Sequence, residues 1–108
     1  MKIAITSQNA KSVTAHAGRC RKFWVYELTS DGADIVKQFV ELEMDETLHT
    51  MQSSLPPKLA GIDVLITANL GESLRKKLTE AGITTHLSSS ATPDIALLNY
   101  LADERQPH

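Results

Sequence analysis

The spacing of apolar residues changes halfway along the chain, and this change restricts the fold more than any other feature. Three short apolar runs, over residues 2–7, 22–29 and 35–43, come first, and no helical stripe separates them. A Ser-Asp-Gly turn signal lies at residues 30–32, between the second run and the third. We therefore predict a first strand followed by a β-hairpin, with all three strands antiparallel to their neighbours.

From Asp45 onwards, helical and strand-like patterns alternate. Asp45 is a suitable N-cap for a helix over residues 45–55, and the two prolines that follow end this helix because proline cannot continue the hydrogen-bond ladder. A second helix is predicted to end at Gly82, and a third opens with Thr92 and Pro93. Two further strands are predicted over residues 62–67 and 83–87. The second helix is predicted to bury a stripe formed by Leu74, Leu78 and Ala81. The third is predicted to bury a stripe formed by Ile95, Leu98 and Leu101.

The predicted order of elements is β-β-β-α-β-α-β-α, which indicates an α/β fold in a single domain. A hairpin followed by βαβ units gives a mixed five-stranded sheet with helices on both faces. Short connections and right-handed crossovers favour the strand order 3-2-1-4-5, with strands one, four and five parallel. This order resembles a compact ribonuclease-H-like sheet. We expect residues 1–103 to form the domain and residues 104–108 to form a polar tail.

Charge and cysteine content limit the classes of function. The chain has 11 Lys and Arg residues against 13 Asp and Glu residues, a formal charge of −2. Nucleic-acid-binding domains usually carry a strongly basic face, so we expect no nucleic-acid partner. Cys20 is the one cysteine and cannot form an internal disulfide, which favours a reducing cytoplasmic location. No apolar stretch is long enough for a signal peptide or a membrane helix, so no membrane partner is expected.

Ligands of open α/β sheets bind outside the carboxyl ends of the parallel strands, where the strand order reverses. In the predicted order this position lies between strands one and four. Residues 8–21 leave the first strand there, and residues 68–73, including Asn69 and Gly71, leave the fourth. Residues 44–49 leave the third strand, which runs in the same direction as the first. Three polar segments are therefore predicted to converge on one edge of the sheet.

The loop over residues 8–21 and the residue after it are basic, with Lys11, Arg19, Arg21 and Lys22 and no acidic residue. This local excess of positive charge favours a small anionic ligand. Gly71, at the start of the second helix, would let backbone N–H groups approach an anion. Charge alone favours the simpler interpretation, that these side chains are solvated.

His16 and Cys20 lie four residues apart in the same loop, and His49 lies in the segment after the third strand. Imidazole and thiolate are good ligands for iron and other transition metals, although two such residues are too few for a closed zinc site. A lone cysteine is more often a small buried apolar residue, which is the favoured interpretation of Cys20. For His16, a plain loop histidine and a metal ligand are equally plausible, and His49 is either a surface histidine or a ligand at the edge.

Enzymatic chemistries fit less well. A two-metal nuclease needs carboxylates at the strand ends, but the first strand has none and Asp63 begins the fourth strand at the opposite end of the sheet. The chain also has no phosphate loop, dinucleotide fingerprint or recognisable nucleophile motif. The sequence therefore gives no support for an enzymatic function.

Motifs along most of the chain carry a resemblance to a known family. Residues 1–7 (MKIAITS), 13–19 (VTAHAGR) and 23–27 (FWVYE) match a strand, an S/T-x-H-x-G-[RK] loop and an aromatic strand that ends in Tyr-Glu. Residues 61–67 (GIDVLIT) and 78–83 (LTEAGI) match the second half of the pattern. Over roughly residues 1–101 the chain resembles the dinitrogenase iron–molybdenum cofactor biosynthesis family.

The resemblance implies a ribonuclease-H-like fold without nuclease activity and a role in binding iron–molybdenum cofactor or its iron–sulfur precursors. Members carry these clusters between assembly proteins, so nitrogenase or cluster-assembly proteins are the implied partners, and we expect a monomer or a weak dimer. The family's loop histidine falls on His16, and Gly18 and Arg19 follow it. His49 resembles a second histidine found in a subgroup, whereas Cys20 lies outside the general pattern.

Two other functions are consistent with the sequence. The same fold can serve as a docking module for a nitrogenase component or an assembly protein without holding metal. Alternatively, Gly71 and the basic loop can bind a small phosphate-like anion. Loss of cluster binding in a His16→Ala variant would favour the cluster carrier, whereas a partner interaction insensitive to that change would favour the docking module.

Overall fold

A computed structural model of the chain describes residues 1–9, 11–14, 20–29, 34–43, 57–88 and 92–105. The predicted turn at residues 30–32, the predicted helix over residues 45–55 and the end of the predicted tail lie outside these residues. The described elements are the strands β1 (Lys2–Thr6), β2 (Lys22–Leu28), β3 (Ile35–Glu41), β4 (Val64–Thr67) and β5 (Thr84–Leu87), a short 3-10 helix (Pro57–Leu59), and the helices α1 (Glu72–Glu80) and α2 (Pro93–Arg105).

The five strands form one sheet in the order β3-β2-β1-β4-β5. β2 is antiparallel to both β1 and β3, whereas β1, β4 and β5 are parallel to one another. The predicted strand order and strand directions are thus confirmed. β1 and β4 are the central strands, and apart from the half-buried Lys2 all of their residues are buried, which explains why both read as nearly continuous apolar runs.

Each face of the sheet has its own hydrophobic cluster, because side chains alternate between the two faces along a strand. On one face, Ala4 and Leu65 pack with Leu78 of α1. On the other face, Ile3, Ile5, Val64 and Ile66 pack with Ala96, Leu97 and Tyr100 of α2. The prediction of helices on both faces is therefore confirmed.

The predicted end of α1 at Gly82 is also confirmed. Gly82 has φ +84°, a left-handed conformation that glycine adopts without steric cost. Its N–H donates to the Thr79 carbonyl at 3.0 Å, and the Ile83 N–H donates to the Leu78 carbonyl at 2.9 Å. These two bonds and the packing of Leu78 and Ile83 in one cluster form a Schellman motif, which turns the chain directly into β5.

The predicted buried stripe of α2 is wrong at Ile95 and Leu98, whereas its third residue, Leu101, is partly buried against the cluster on that face. Ile95 and Leu98 are 49% and 62% exposed, whereas Ala96, Leu97 and Tyr100 are buried. At the first turn of the helix, the Tyr26 hydroxyl donates to the Asp94 carboxylate at 2.6 Å, a bond that is compatible with this rotation. Thr92 does cap the helix as predicted, since its hydroxyl accepts from the Ile95 N–H at 3.2 Å. α2 also continues through residues 103–105, which the sequence pattern assigned to the end of the helix and the tail.

Within the described ranges, no helix combines the length and the apolar character that a membrane crossing requires.

Candidate functional site

Several segments meet where the carboxyl ends of β1 and β4 leave the sheet, the position at which the strand order reverses. β1 and β4 end side by side, with Ile5 opposite Ile66, and the start of β2 lies beside them, with Phe23 opposite Thr6. We call this edge the switch-point rim. Its described residues are Thr6, Ser7, Gln8, Thr14, Cys20, Arg21, Thr67, Ala68 and Asn69.

Thr14 is tied to both central strands at the switch-point rim. Its N–H donates to the Thr6 carbonyl at 3.0 Å, and its carbonyl accepts from the Ala68 N–H at 3.1 Å. The hydroxyls of Thr6 and Thr67 also lie 2.6 and 3.1 Å from that carbonyl, and 2.9 Å from each other. Both threonines are fully buried, and buried hydroxyls need such partners. The chain is thereby fixed at Thr14, two residues before His16.

The chain is fixed again after the undescribed residues 15–19. The Arg21 N–H donates to the Gln8 side-chain oxygen at 3.0 Å, and the Gln8 N–H in turn donates to the Thr14 hydroxyl at 3.0 Å. The Ser7 N–H donates to the Lys22 carbonyl at 2.9 Å. Residues 14 and 20 therefore both lie at the switch-point rim. His16, Gly18 and Arg19 belong to the five-residue segment between them, and their own positions lie outside the described residues.

Cys20 is 3% exposed and belongs to the hydrophobic cluster on the α1 face. Its thiol donates to the Lys22 carbonyl at 3.0 Å. Burial raises the pKa of the Cys20 thiol, an effect that hydrogen bonds with Lys22, Thr14 and Ser7 offset only in part. This environment favours a neutral thiol and agrees with the structural interpretation of Cys20. A role as metal ligand stays a prediction.

Arg21 lies half-buried at the switch-point rim. Its Nε donates to the Leu42 carbonyl at 3.0 Å, and its guanidinium lies 3.8 Å from the Glu41 carboxylate. The sequence pattern contained no acidic residue in this loop, but the sheet brings Glu41 to it from β3. Part of the local positive charge is therefore balanced, although the arginine keeps an exposed portion that can face a ligand.

Asn69 and Gly71 follow β4 on the opposite side of Thr14. Asn69 is exposed, and its side-chain oxygen accepts from the Leu70 N–H at 2.8 Å. Its carbonyl lies 3.1 Å from the Thr67 hydroxyl, so this carbonyl and the Thr14 carbonyl are alternative acceptors for the single Thr67 proton. Gly71 is the N-cap of α1, without a side-chain cap. The next residue, Glu72, pairs with Arg75 and puts a carboxylate in the first turn of the helix. That carboxylate competes with a bound anion at this helix start.

The structure brings four of the predicted site residues to this side of the sheet: Cys20, Arg21, Asn69 and Gly71. The predicted ligands His16 and His49 lie outside the described residues, as do Gly18 and Arg19. In the ranges that are described, no three His, Cys, Asp or Glu side chains come together in a group able to hold a metal ion. The assignment of His16 and His49 as metal ligands stays a prediction.

Sequence reasoning missed the threonines that organise the site. Thr6 and Thr67 end the two central strands, and their side chains meet because β1 and β4 are parallel and in matching register. A hydroxyl residue at the end of each of two adjacent parallel strands is a signal that the sequence contains. Its partner, the Thr14 carbonyl, has no sequence signature because any residue type can supply a backbone carbonyl.

A separate surface pocket of about 320 Å³ lies away from the switch-point rim. Its two lysines, Lys2 and Lys58, donate to the carbonyls of Ala60 and Glu41, at 3.0 and 3.1 Å. We assign no ligand to this pocket. It is lined by Lys2, Val25, Gln38, Phe39, Val40, Glu41 and Lys58.

Comparison with solved structures supports the fold. A candidate NifB protein of the DUF35 family from Thermotoga, solved by NMR, superposes with a TM-score of 0.65 at 20% identity, over 94% of this chain and 87% of that chain. The apo form of the orange protein from Desulfovibrio gigas gives a TM-score of 0.69 at 21% identity, over 95% of this chain and 88% of that chain. At this level of identity the likeness concerns the fold alone.

Comparison of sequences identifies the family. No curated protein sequence matches the chain. The model of the family described as dinitrogenase iron-molybdenum cofactor matches residues 1–103. The chain therefore belongs to the dinitrogenase iron-molybdenum cofactor family, which connects it with the biosynthesis of that cofactor.

Proposed function

We propose that this chain binds an iron–molybdenum cluster or an iron–sulfur precursor at the switch-point rim and delivers it to a cluster-assembly protein or a nitrogenase component. The cluster is cargo, and the role is that of a carrier without a catalytic step. One observation carries the proposal: the segment that contains His16 is fixed at both of its ends, at Thr14 and Cys20, to the position where ligands of such sheets bind.

The residues around this segment suit such a cargo. His16 supplies an imidazole, a good ligand for iron. Gly18, which has no side chain, and the positively charged Arg19 follow it in the sequence. Arg21 adds a partly exposed guanidinium, and Asn69 an exposed amide, on either side of the Thr14 anchor. Positive charge and hydrogen-bond donors favour an anionic, sulfide-rich cluster. His49 and Cys20 are the proposed auxiliary ligands, and Cys20 would have to leave its buried position to bind a cluster.

A small number of protein ligands is appropriate for a carrier. Metal affinity rises with the number of ligands that the protein supplies in fixed geometry, and handover requires that the cargo can leave. One histidine with nearby charge binds a cluster less tightly than a closed site of four ligands would. We propose that this handover occurs in a reducing cytoplasm, where iron–sulfur cargo and the free thiol of Cys20 both persist.

The test is an anaerobic titration of the apo protein with iron–molybdenum cofactor and, separately, with an iron–sulfur cluster. Binding is followed by visible absorption and by co-elution in gel filtration. We expect co-elution with the native chain and with a His108→Ala control, which removes an imidazole from the predicted tail. Co-elution should be lost in His16→Ala. Retention by His16→Ala would contradict the assigned site, and no retention by the native chain would favour the metal-free docking module.

A further inference from the structure

One edge of β3 has no partner strand among the described residues. In the part of the chain that the structure describes, β3 pairs with β2 and with no other strand. The Asp34 carbonyl accepts from Thr29 at 3.1 Å and the Leu42 N–H donates to Arg21 at 2.6 Å, so even-numbered residues bond towards β2. Because the bonding direction alternates along an antiparallel strand, the odd-numbered residues point their backbone groups away from the sheet. These residues are Ile35, Lys37, Phe39 and Glu41.

The side chains along this edge are unusually apolar for an exposed strand. Ile35, Val36 and Phe39 are 49%, 62% and 37% exposed, and the Phe39 ring contacts Trp24, with 4.8 Å between the ring centroids. β3 has seven residues and two opposite charges, Lys37 and Glu41. Many edge strands avoid pairing with other chains by being short or interrupted, and β3 is neither. An edge of this length and composition is suited to pairing with a further strand.

The charges on β3 indicate which strand fits. If two copies of β3 pair antiparallel about a twofold axis at Phe39, Lys37 of each copy lies directly opposite Glu41 of the other. A twofold axis at Lys37 would instead bring two ammonium groups together. Opposite charges across a strand pair stabilise it and like charges destabilise it, so the first register is favoured. It also places the two Phe39 residues opposite each other, as a hydrogen-bonded pair.

We propose that the chain forms a twofold-symmetric dimer by antiparallel pairing of β3 with β3 of a second copy, centred on Phe39. This proposal goes beyond the cluster-carrier function and does not depend on it. Pairing would join the two sheets into one sheet of ten strands.

Three existing contacts moderate the association. The Arg21 guanidinium already lies 3.8 Å from the Glu41 carboxylate, which the dimer would share with Lys37 of the second copy. The Lys58 ammonium donates to the Glu41 carbonyl at 3.1 Å and must move away for pairing to extend to that residue. The Lys37 ammonium donates to Asp94 at 3.0 Å, but it has three N–H groups and can also reach Glu41 of the second copy. The dimer should therefore depend on protein concentration and form reversibly.

The first test measures association of the full chain by sedimentation velocity over a concentration series. We expect the monomer to convert to a dimer with rising concentration. Lys37→Glu and Glu41→Lys should each weaken the association constant about tenfold or more, because each change creates two like-charge pairs. The double variant restores opposite charges and should return the constant to within about threefold of the native value. Thermal melting establishes that each variant is folded.

A monomer at every concentration would overturn the proposal. The partner of the β3 edge would then be another part of this chain or a different protein. Failure of the double variant to recover would equally overturn the proposed register.

A second test examines the register by disulfide trapping. Cα atoms of a hydrogen-bonded antiparallel pair lie about 5.5 Å apart, within the range that a disulfide spans. Phe39→Cys should therefore cross-link two copies under mild oxidation. Gln38→Cys is the matched control, since in this register Gln38 lies opposite Val40 and not opposite itself. The native Cys20 is buried and gives the background. Faster cross-linking at position 38 than at position 39 would refute the register.

Discussion

Backbone hydrogen bonding differs between the switch-point rim, where β1 and β4 end, and the outer edge of the sheet at β3. At the switch-point rim, two buried hydroxyls and the Ala68 N–H converge on one carbonyl of Thr14, so the polar groups are satisfied within the chain. Along β3, the outward backbone groups of Ile35, Lys37 and Phe39 face away from every described strand. The comparison teaches that one sheet can satisfy its polar groups internally at Thr14 while leaving backbone groups of β3 available for a partner strand.

The largest expected difference between centre and edge concerns packing. Leu65→Ala should lower the free energy of unfolding by about 3 kcal/mol, because Leu65 is fully buried in β4 and the change leaves a cavity. Phe39→Ala should cost less than half as much, since Phe39 is already partly exposed on β3. Urea denaturation of both variants measures this at a protein concentration low enough to keep the chain monomeric. Equal losses of unfolding free energy in the two variants would contradict the difference in packing between β4 and β3.

The next largest effect concerns the Thr14 anchor. Thr67→Val keeps the shape of the side chain but removes the hydroxyl, and should lower the free energy of unfolding by about 1–2 kcal/mol. It should also weaken cluster retention, because the segment with His16 loses part of its anchor. Thr67→Ser, which retains the hydroxyl, is the control and should recover most of the cluster binding. If Thr67→Val and Thr67→Ser retain clusters equally, the Thr67 hydroxyl does not position the segment that contains His16.

A smaller effect concerns pH and the ionic contact that orients α2. Hydrogen bonds from the Tyr26 hydroxyl and from Lys37 lower the pKa of Asp94 below its usual value. A carboxyl with a lowered pKa in the folded state stabilises the fold above its unfolded pKa of about 4. That stabilisation is lost as the pH falls through the lowered pKa. Solvent screens this exposed group, so the contribution should be a few tenths of a kcal/mol.

This dependence is measured by urea denaturation between about pH 6 and pH 2. The native chain should lose its advantage over Asp94→Asn as the pH falls. If the difference in unfolding free energy between the native chain and Asp94→Asn is constant across this range, Asp94 is excluded as the titrating group.

The smallest effect concerns the β3 edge itself. Lys58→Ala removes the ammonium group that bonds the Glu41 carbonyl, and should strengthen self-association about twofold to threefold. Sedimentation velocity detects the change, and Lys76→Ala, a change at another lysine of the chain on α1, is the control. Weaker association in Lys58→Ala would indicate that this lysine supports the dimer and does not protect the edge.

Sequence patterns predicted the sheet well because most strands have a strong local signal, although residues 83–87 alternate only weakly. The run over residues 62–67 is nearly continuous in apolar residues, as a strand buried on both faces must be, and the structure forms β4 there, over Val64–Thr67. Right-handed crossovers then leave few possible strand orders. The switch-point rim follows from that order, which is why Arg21 and Asn69 could be assigned to one side of the sheet.

The orientation of α2 could not be predicted in the same way. Apolar residues lie on more than one side of this helix, so Ile95 and Leu98 form as good a stripe as Ala96 and Leu97. The choice depends on contacts with distant strands, because Ala96, Leu97 and Tyr100 pack on β1 and β4. The bond between Tyr26 and Asp94 likewise joins residues 68 positions apart in the chain. Contacts between residues so distant in sequence leave no local pattern.

The bond from the Ala68 N–H to the Thr14 carbonyl has a consequence for observing this protein in solution. This amide proton belongs to the segment after β4, yet it can exchange with deuterium only when Thr14 releases it. Its exchange rate therefore reports the opening of the loop before His16, separately from global unfolding. A single resolved amide signal would reveal whether cargo binding tightens that loop, without any label attached to the protein.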